Sequence, residues 1–119
     1  SSGDGIVGII SLVGDIEWSI FFGMPSDTAV AASLKFAGFD IPFESADMGD
    51  AIGELTNMLG GKVKLNLDQK GVAANISLPS VLRAKNMTML VQQQNSVEKR
   101  SFTSELGKFW IGVMARKQA

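Results

Sequence analysis

The sequence has no cysteine, no histidine and no tyrosine among its 119 residues, and only three prolines. Each absence removes a kind of chemistry. Without cysteine there are no disulfides and no thiol nucleophile. Without histidine there is no Ser-His-Asp triad, and zinc sites of the usual ligand types are excluded. Any catalysis must use carboxylates, amides, hydroxyls, Lys, Arg or the backbone. Long hydrophobic runs are missing too. The apolar stretch Ile6 to Val13 is broken by Gly8 and Ser11. It falls far short of the ~20 residues that span a bilayer. No signal peptide is visible, so a cytoplasmic location is the default expectation and no membrane contact is expected.

What is present describes a folding chain. Hydrophobic residues make up 45% and charged residues 19%, which favours a packed core over disorder. The length suits one domain. A net charge of −1 conceals two unlike halves: residues 1–61 hold nine acids and one base, Lys35, and residues 62–119 hold three acids and ten bases. Opposite halves of this kind pair favourably within one molecule. The basic half lacks a dense Lys/Arg run, so nucleic acid is not an expected partner.

Gly5–Val13 and Ile16–Phe22 read as a strand hairpin. Its turn is Gly14-Asp15, where glycine would accept a positive φ. A first helix follows Pro25-Ser26-Asp27, with Asp27 as its cap and Gly38 as its end. A second begins near Asp47, again a candidate cap, and is expected to run to about residue 69, closed by Gly71. Its apolar residues Met48, Ala51, Ile52, Leu55, Met58 and Leu59 share one stripe of roughly 120°. Asp50, Glu54, Asn57 and Gly61 lie opposite. Further strands are expected over Ala73–Leu78, Met87–Gln94, Lys99–Ser104 and Lys108–Ala115, the last two as a hairpin around Glu105-Leu106-Gly107. The two Trp residues and the Met residues read as core. The predicted order, β-β-α-α-β-β-β-β, implies an α+β fold: an antiparallel sheet packed against two long helices.

The polar face of the second helix is the informative feature. A helix built for solubility carries long polar side chains. This one carries two carboxylates and an amide with glycines beside them, as if another protein must come close. The first helix repeats the spacing as Asp27, Ala31, Leu34 and Gly38, with apolar residues where the second has Glu54 and Asn57. The acids Asp40, Glu44, Asp47, Asp50 and Glu54 match no calcium-loop spacing and read as a solvated surface, so no metal ligands are assigned.

Glu54-Leu55-Thr56-Asn57 is an E-x-x-N pair, with Asp50 four places before it and Pro79 twenty-two places after it. With Ile76-Ser77-Leu78-Pro79 and the ending Phe102 to Phe109, this pattern resembles the CheC/CheX/FliY family of chemotaxis phosphatases. The resemblance covers most of the chain, as a single domain over residues 1–119 that lacks the family's leading helix. The Asn-to-Pro interval is slightly shorter than the family's usual one. A single intact E-x-x-N is most like CheX. The resemblance implies a substrate, the aspartyl phosphate of a CheY-like response regulator. It implies that Asn57 orients the attacking water and that Glu54 docks on a lysine of the regulator. Asp50, Gly53 and Gly61 would lie against the partner, and Pro79 would be a structural member of the motif. It implies no cofactor in this chain, with Mg2+ held by the regulator, and a homodimer. The other reading open at this stage is a non-catalytic regulator-binding or scaffold module of the same fold.

Overall fold

The computed structural model describes residues 4–85 and 95–116. Its elements are β1 (Asp4–Gly14), β2 (Glu17–Pro25), α1 (Ser26–Ala37), α2 (Ala46–Gln69), β3 (Ala74–Ile76), β4 (Ser80–Lys85), β5 (Asn95–Ser104) and β6 (Gly107–Arg116). The expected strand over Met87–Gln94 lies outside the described residues. All pairings are antiparallel, and the sheet runs β3-β1-β2-β6-β5, with β4 also on β1. Both helices cover one face of it.

Strand alternation decides which residues meet the helices. Ile6, Ile10 and Leu12 of β1 are at most 1% exposed. Directly across from them stand Met24, Ile20 and Trp18 of β2. Ile6 and Met24 join Ala29, Ile41, Met48, Ala51 and Ile52 in one core cluster. Ile10, Leu12, Ile20 and Ala74 form the other, with Leu59, Val63 and Leu67 packed on it. Trp18 therefore lies on the helix side. Trp110 pairs with Gly23 and belongs to the opposite face, where Lys99 sits 4.7 Å from its ring centroid.

β3 and β4 lie on the same edge of β1. β3 pairs with Leu12–Gly14 and β4 with Asp4–Ile9. Ser77 bridges the break between them: its N–H donates to Ser11 O at 2.9 Å, and its Oγ accepts from Ser11 N at 3.0 Å. Pro79 then admits a second short strand, where the sequence suggested only the end of one.

Three turn and cap assignments change. Gly14 is not among the positive-φ glycines, which are Gly38, Gly71 and Gly107. Its constraint is space, because a Cβ there would overlap the Ala73 carbonyl. Asp15 closes the same contact, donating its N–H to Ala73 O at 2.8 Å and accepting from Ala73 N at 2.9 Å. The cap of α2 is Ser45, whose Oγ accepts from Met48 N at 3.3 Å; Asp47 sits within the first turn. Pro25 precedes α1 without a side-chain cap bond, and Asp27 lies in its first turn.

Candidate functional site

α2 is 24 residues long, and the line along which it rests on the sheet fixes which side chains face out. Its buried residues are Met48, Ala51, Ile52, Gly53, Thr56 and Gly60. Small residues at 56 and 60 let the helix come close to β1. A Cβ on Gly8 would overlap Thr56, and one on Gly60 would stand 2.9 Å from Ile10 Cδ1. The Thr56 hydroxyl is not left unpaired, because it donates to Ile52 O at 2.7 Å. This seating rolls the helix relative to the stripe read from the sequence. Met58, expected in the core, is 51% exposed.

The same roll sorts the site residues. Asp50, Glu54, Asn57 and Gly61 are exposed. They follow the i, i+4, i+7, i+11 rule, so they share one face over about 16 Å of helix. Glu54 and Asn57 are one turn apart, with Cβ atoms about 5–6 Å from each other. Among the described residues, the side chains of Asp50, Glu54 and Asn57 take no hydrogen-bond or ion-pair partner.

Gly53 does not belong with them. It is buried, and a Cβ there would lie 3.6 Å from Val81 Cγ2 and 3.9 Å from Pro79 Cγ. The expectation that Gly53 faces a partner is therefore corrected: it faces the chain's own edge strand. Pro79 is half-buried under that first half of α2. Gly53 and Pro79 thus face each other across the packing of α2 on the edge strand, with room between them for a Cβ at ordinary contact distance.

Other regions offer less chemistry. An apolar cavity of about 310 Å³ is lined in part by Phe22, Phe36, Leu55, Leu106 and Phe109. The hydroxyls at its wall are already engaged: Thr28 donates to Lys108 O at 2.8 Å and Ser104 to Gly107 O at 2.9 Å. Among the described residues no three acidic side chains are grouped to hold a metal ion, and no helix is long and apolar enough to cross a membrane. The face of α2 is the place where free polar groups converge on a rigid element.

The model of the chemotaxis phosphatase CheX family matches residues 6–102. The chain belongs to the CheX family. It is 30% identical over 83 residues to the CheY-P phosphatase CheX of Thermotoga maritima, which is 69% of this chain and 54% of the relative. It thus spans about half the length of that curated CheX. The chemotaxis protein CheX of Desulfovibrio desulfuricans superposes with a TM-score of 0.84 at 22% identity, covering 98% of this chain and 79% of the other. CheX in the CheX–CheY–BeF3–Mg complex of Borrelia burgdorferi superposes at 0.74 with 21% identity, covering 98% and 77%. These likenesses establish the CheX fold, and the resemblance first seen between Asp50 and Pro79 holds for the family.

No single local signal in the sequence marks the outward turn of Met58 or the inward turn of Gly53. Both follow from Gly8 and Thr56 meeting across 48 residues of chain. Gly8 inside an apolar strand was the available hint, since a strand glycine often marks close approach by another element.

Proposed function

We propose that this chain is a phosphatase that hydrolyses the aspartyl phosphate of a CheY-like response regulator. The observation that carries the reading is the exposed pair Glu54 and Asn57, one turn apart on a helix locked to the sheet. The Thermotoga relative's name and the Borrelia complex, a CheX seated with CheY, support the same substrate class.

The reaction adds water to phosphorus and breaks the bond between phosphorus and the aspartyl oxygen. The products are a free carboxylate and inorganic phosphate, and the water's protons leave with phosphate and solvent. An acyl phosphate is already labile, so holding water in line with the breaking bond is most of the task. The Asn57 amide oxygen accepts a hydrogen bond from that water, while its NH2 donates elsewhere. It orients the water without taking a proton. Glu54 docks on a lysine of the regulator and sets the register in which Asn57 meets the phosphorus. Asp50 lies farther along the face and adds negative charge toward a cationic partner surface. Mg2+ belongs to the regulator in this reading, and the chain's own residues supply position and hydrogen bonds.

A second copy of the chain completes the reading, as the family resemblance implies. The sheet face away from the helices carries Ile9, Phe21, Leu82 and Trp110, and light scattering of the purified chain reports the pairing.

The test is phosphate release from a CheY-like regulator phosphorylated by acetyl phosphate and Mg2+. The unaltered chain should accelerate release. Asn57→Ala should lower kcat by about 100-fold or more, because a displaced nucleophile costs that much, with an unchanged circular dichroism spectrum. Retention of the full rate by Asn57→Ala would remove the assignment. Binding of the regulator without faster release would leave a non-catalytic module.

A further inference from the structure

We infer that Met58, Gly61 and Leu65 form a seat for one bulky apolar side chain of the phosphorylated regulator, immediately beside Asn57. The inference rests on the regulator being the partner, as proposed above, and adds how it is recognised. Met58 is 51% exposed and Leu65 58% exposed. They are seven residues apart, about 10.5 Å along the axis and on one face. Gly61 lies between them, three residues after Met58 and four before Leu65.

Gly61 has no internal reason to be glycine. It lies within α2, eight residues before its last residue, Gln69. It lacks a positive φ, and a Cβ added there would meet nothing within 4 Å. A mid-helix glycine is unfavourable relative to alanine. Its neighbour Gly60 is explained by Ile10, 2.9 Å from where its Cβ would stand. The bare backbone at Gly61 is therefore open only to something from outside. Side chains on a helix lean toward its N-terminus, so Leu65 leans over the turn that contains Gly61. Lys64, on the other flank, is drawn away: its Nζ donates to Ala74 O at 2.6 Å and lies 3.5 Å from Asp68. The result is a shallow saddle with apolar walls and a peptide floor, one turn from Asn57.

The position of the saddle argues for the regulator as its occupant. It is continuous with Glu54 and Asn57 on the same helix face, so a partner gripped there must cover it. Two polar contacts at exposed positions are individually weak. Burial of an apolar side chain beside them adds affinity to the docked complex, while Asn57 alone holds the water.

The experiment compares the chain with Met58→Ser/Leu65→Ser, Gly61→Ala and Met58→Leu. Steady-state release from the phosphorylated CheY-like regulator is measured alongside binding to the same regulator loaded with beryllofluoride, which stands in for the phosphoryl group. The double serine variant should raise KM and Kd about tenfold with kcat within twofold, whereas Asn57→Ala should act on kcat. Gly61→Ala should raise the thermal midpoint, since alanine favours the helix, yet weaken binding; a merely structural glycine would not separate the two. Met58→Leu should bind as the unaltered chain does. Unchanged KM and Kd in the double variant overturn the seat while leaving the phosphatase reading intact. A double variant that instead loses self-association by light scattering assigns the surface to a second copy and also overturns it. Binding without turnover by the unaltered chain removes the phosphatase reading, and the Kd of the double variant still decides the seat. An unaltered chain that does not bind the regulator removes both.

Discussion

Gly38 and Gly61 hold the same place in the spacing that α1 and α2 share, and the two helices use them in opposite ways. Gly38 ends α1, with φ at 85° and its N–H on Leu34 O at 2.8 Å. Gly61 ends nothing, and α2 runs on to Gln69. The spacing repeat read from the sequence is therefore not a structural repeat at its last position. The outward residues differ as well. α1 presents Leu34, 43% exposed, where α2 presents Asn57. A short helix stops at its glycine because it only has to cover the sheet. The long one carries bare backbone through its middle, where a Cβ on Gly61 would meet nothing within 4 Å, as the docking role proposed for its outer face would require.

The largest effect should come from erasing the difference at Asn57. Asn57→Leu gives α2 the residue that α1 has at Leu34. Catalysed phosphate release should fall by about 100-fold or more, as for Asn57→Ala, while urea unfolding shows little change at an exposed position. A variant that still turned over would mean that the comparison of faces had picked out the wrong residue.

The next effect lies on the buried side of α2. Gly8→Ala drives a methyl group into Thr56, whose hydroxyl is committed to Ile52 O. Neither element yields cheaply, since β1 is paired on both sides. We expect a loss of about 3 kcal/mol in chemical denaturation, at the upper end for overpacking. Catalysis should weaken with it, because the roll of the helix aims Asn57. A stable Gly8→Ala protein with normal turnover would show that α2 reaches its orientation without this contact.

These contacts also explain what the sequence could and could not show. Features written within a few residues were legible: the strand hairpins, the glycine ends at Gly38 and Gly71, and the length of α2. The face bearing Glu54 and Asn57 was legible because helical periodicity needs no tertiary knowledge. The roll of α2 was not, because it is set by Gly8 against Thr56 and Gly60 against Ile10. A hydrophobicity wheel treats threonine and glycine as weakly apolar, and so centred the stripe too near Met58. β4 was missed because Ser80–Lys85 is largely exposed and lacks an apolar alternation. Its strand character comes from pairing with β1.

Gly38→Ala tests the other half of the comparison. An alanine held at φ of 85° is strained by roughly 1–2 kcal/mol, so this variant should lose about that much stability. Gly61→Ala should move the opposite way, by about 0.5–1 kcal/mol. The sign of the two shifts in thermal midpoint separates a glycine required by backbone shape from one required by an outside surface. Equal signs would undo the distinction between the helices.

The smallest effect concerns how the helices begin. α1 starts after Pro25 with no side-chain cap, whereas α2 starts at Ser45, whose Oγ accepts from Met48 N and donates to Pro42 O at 2.7 Å. Ser45→Ala would start α2 as α1 starts. The loss should be about 0.5–1 kcal/mol, the lower part of the range for caps. The first turn stays tethered, because Arg83 donates to the main-chain oxygens of Ser45 at 2.7 Å and Phe43 at 3.1 Å. Removing that clamp as well, with Ser45→Ala/Arg83→Met, should cost more than the sum of the single changes if both hold the same turn. Additive losses in a double-mutant cycle would mean that Ser45 and Arg83 act separately. In that case α2 owes its fixed register to the sheet beneath it, through Thr56 and Gly60, and its capped start adds stability without aiming Asn57.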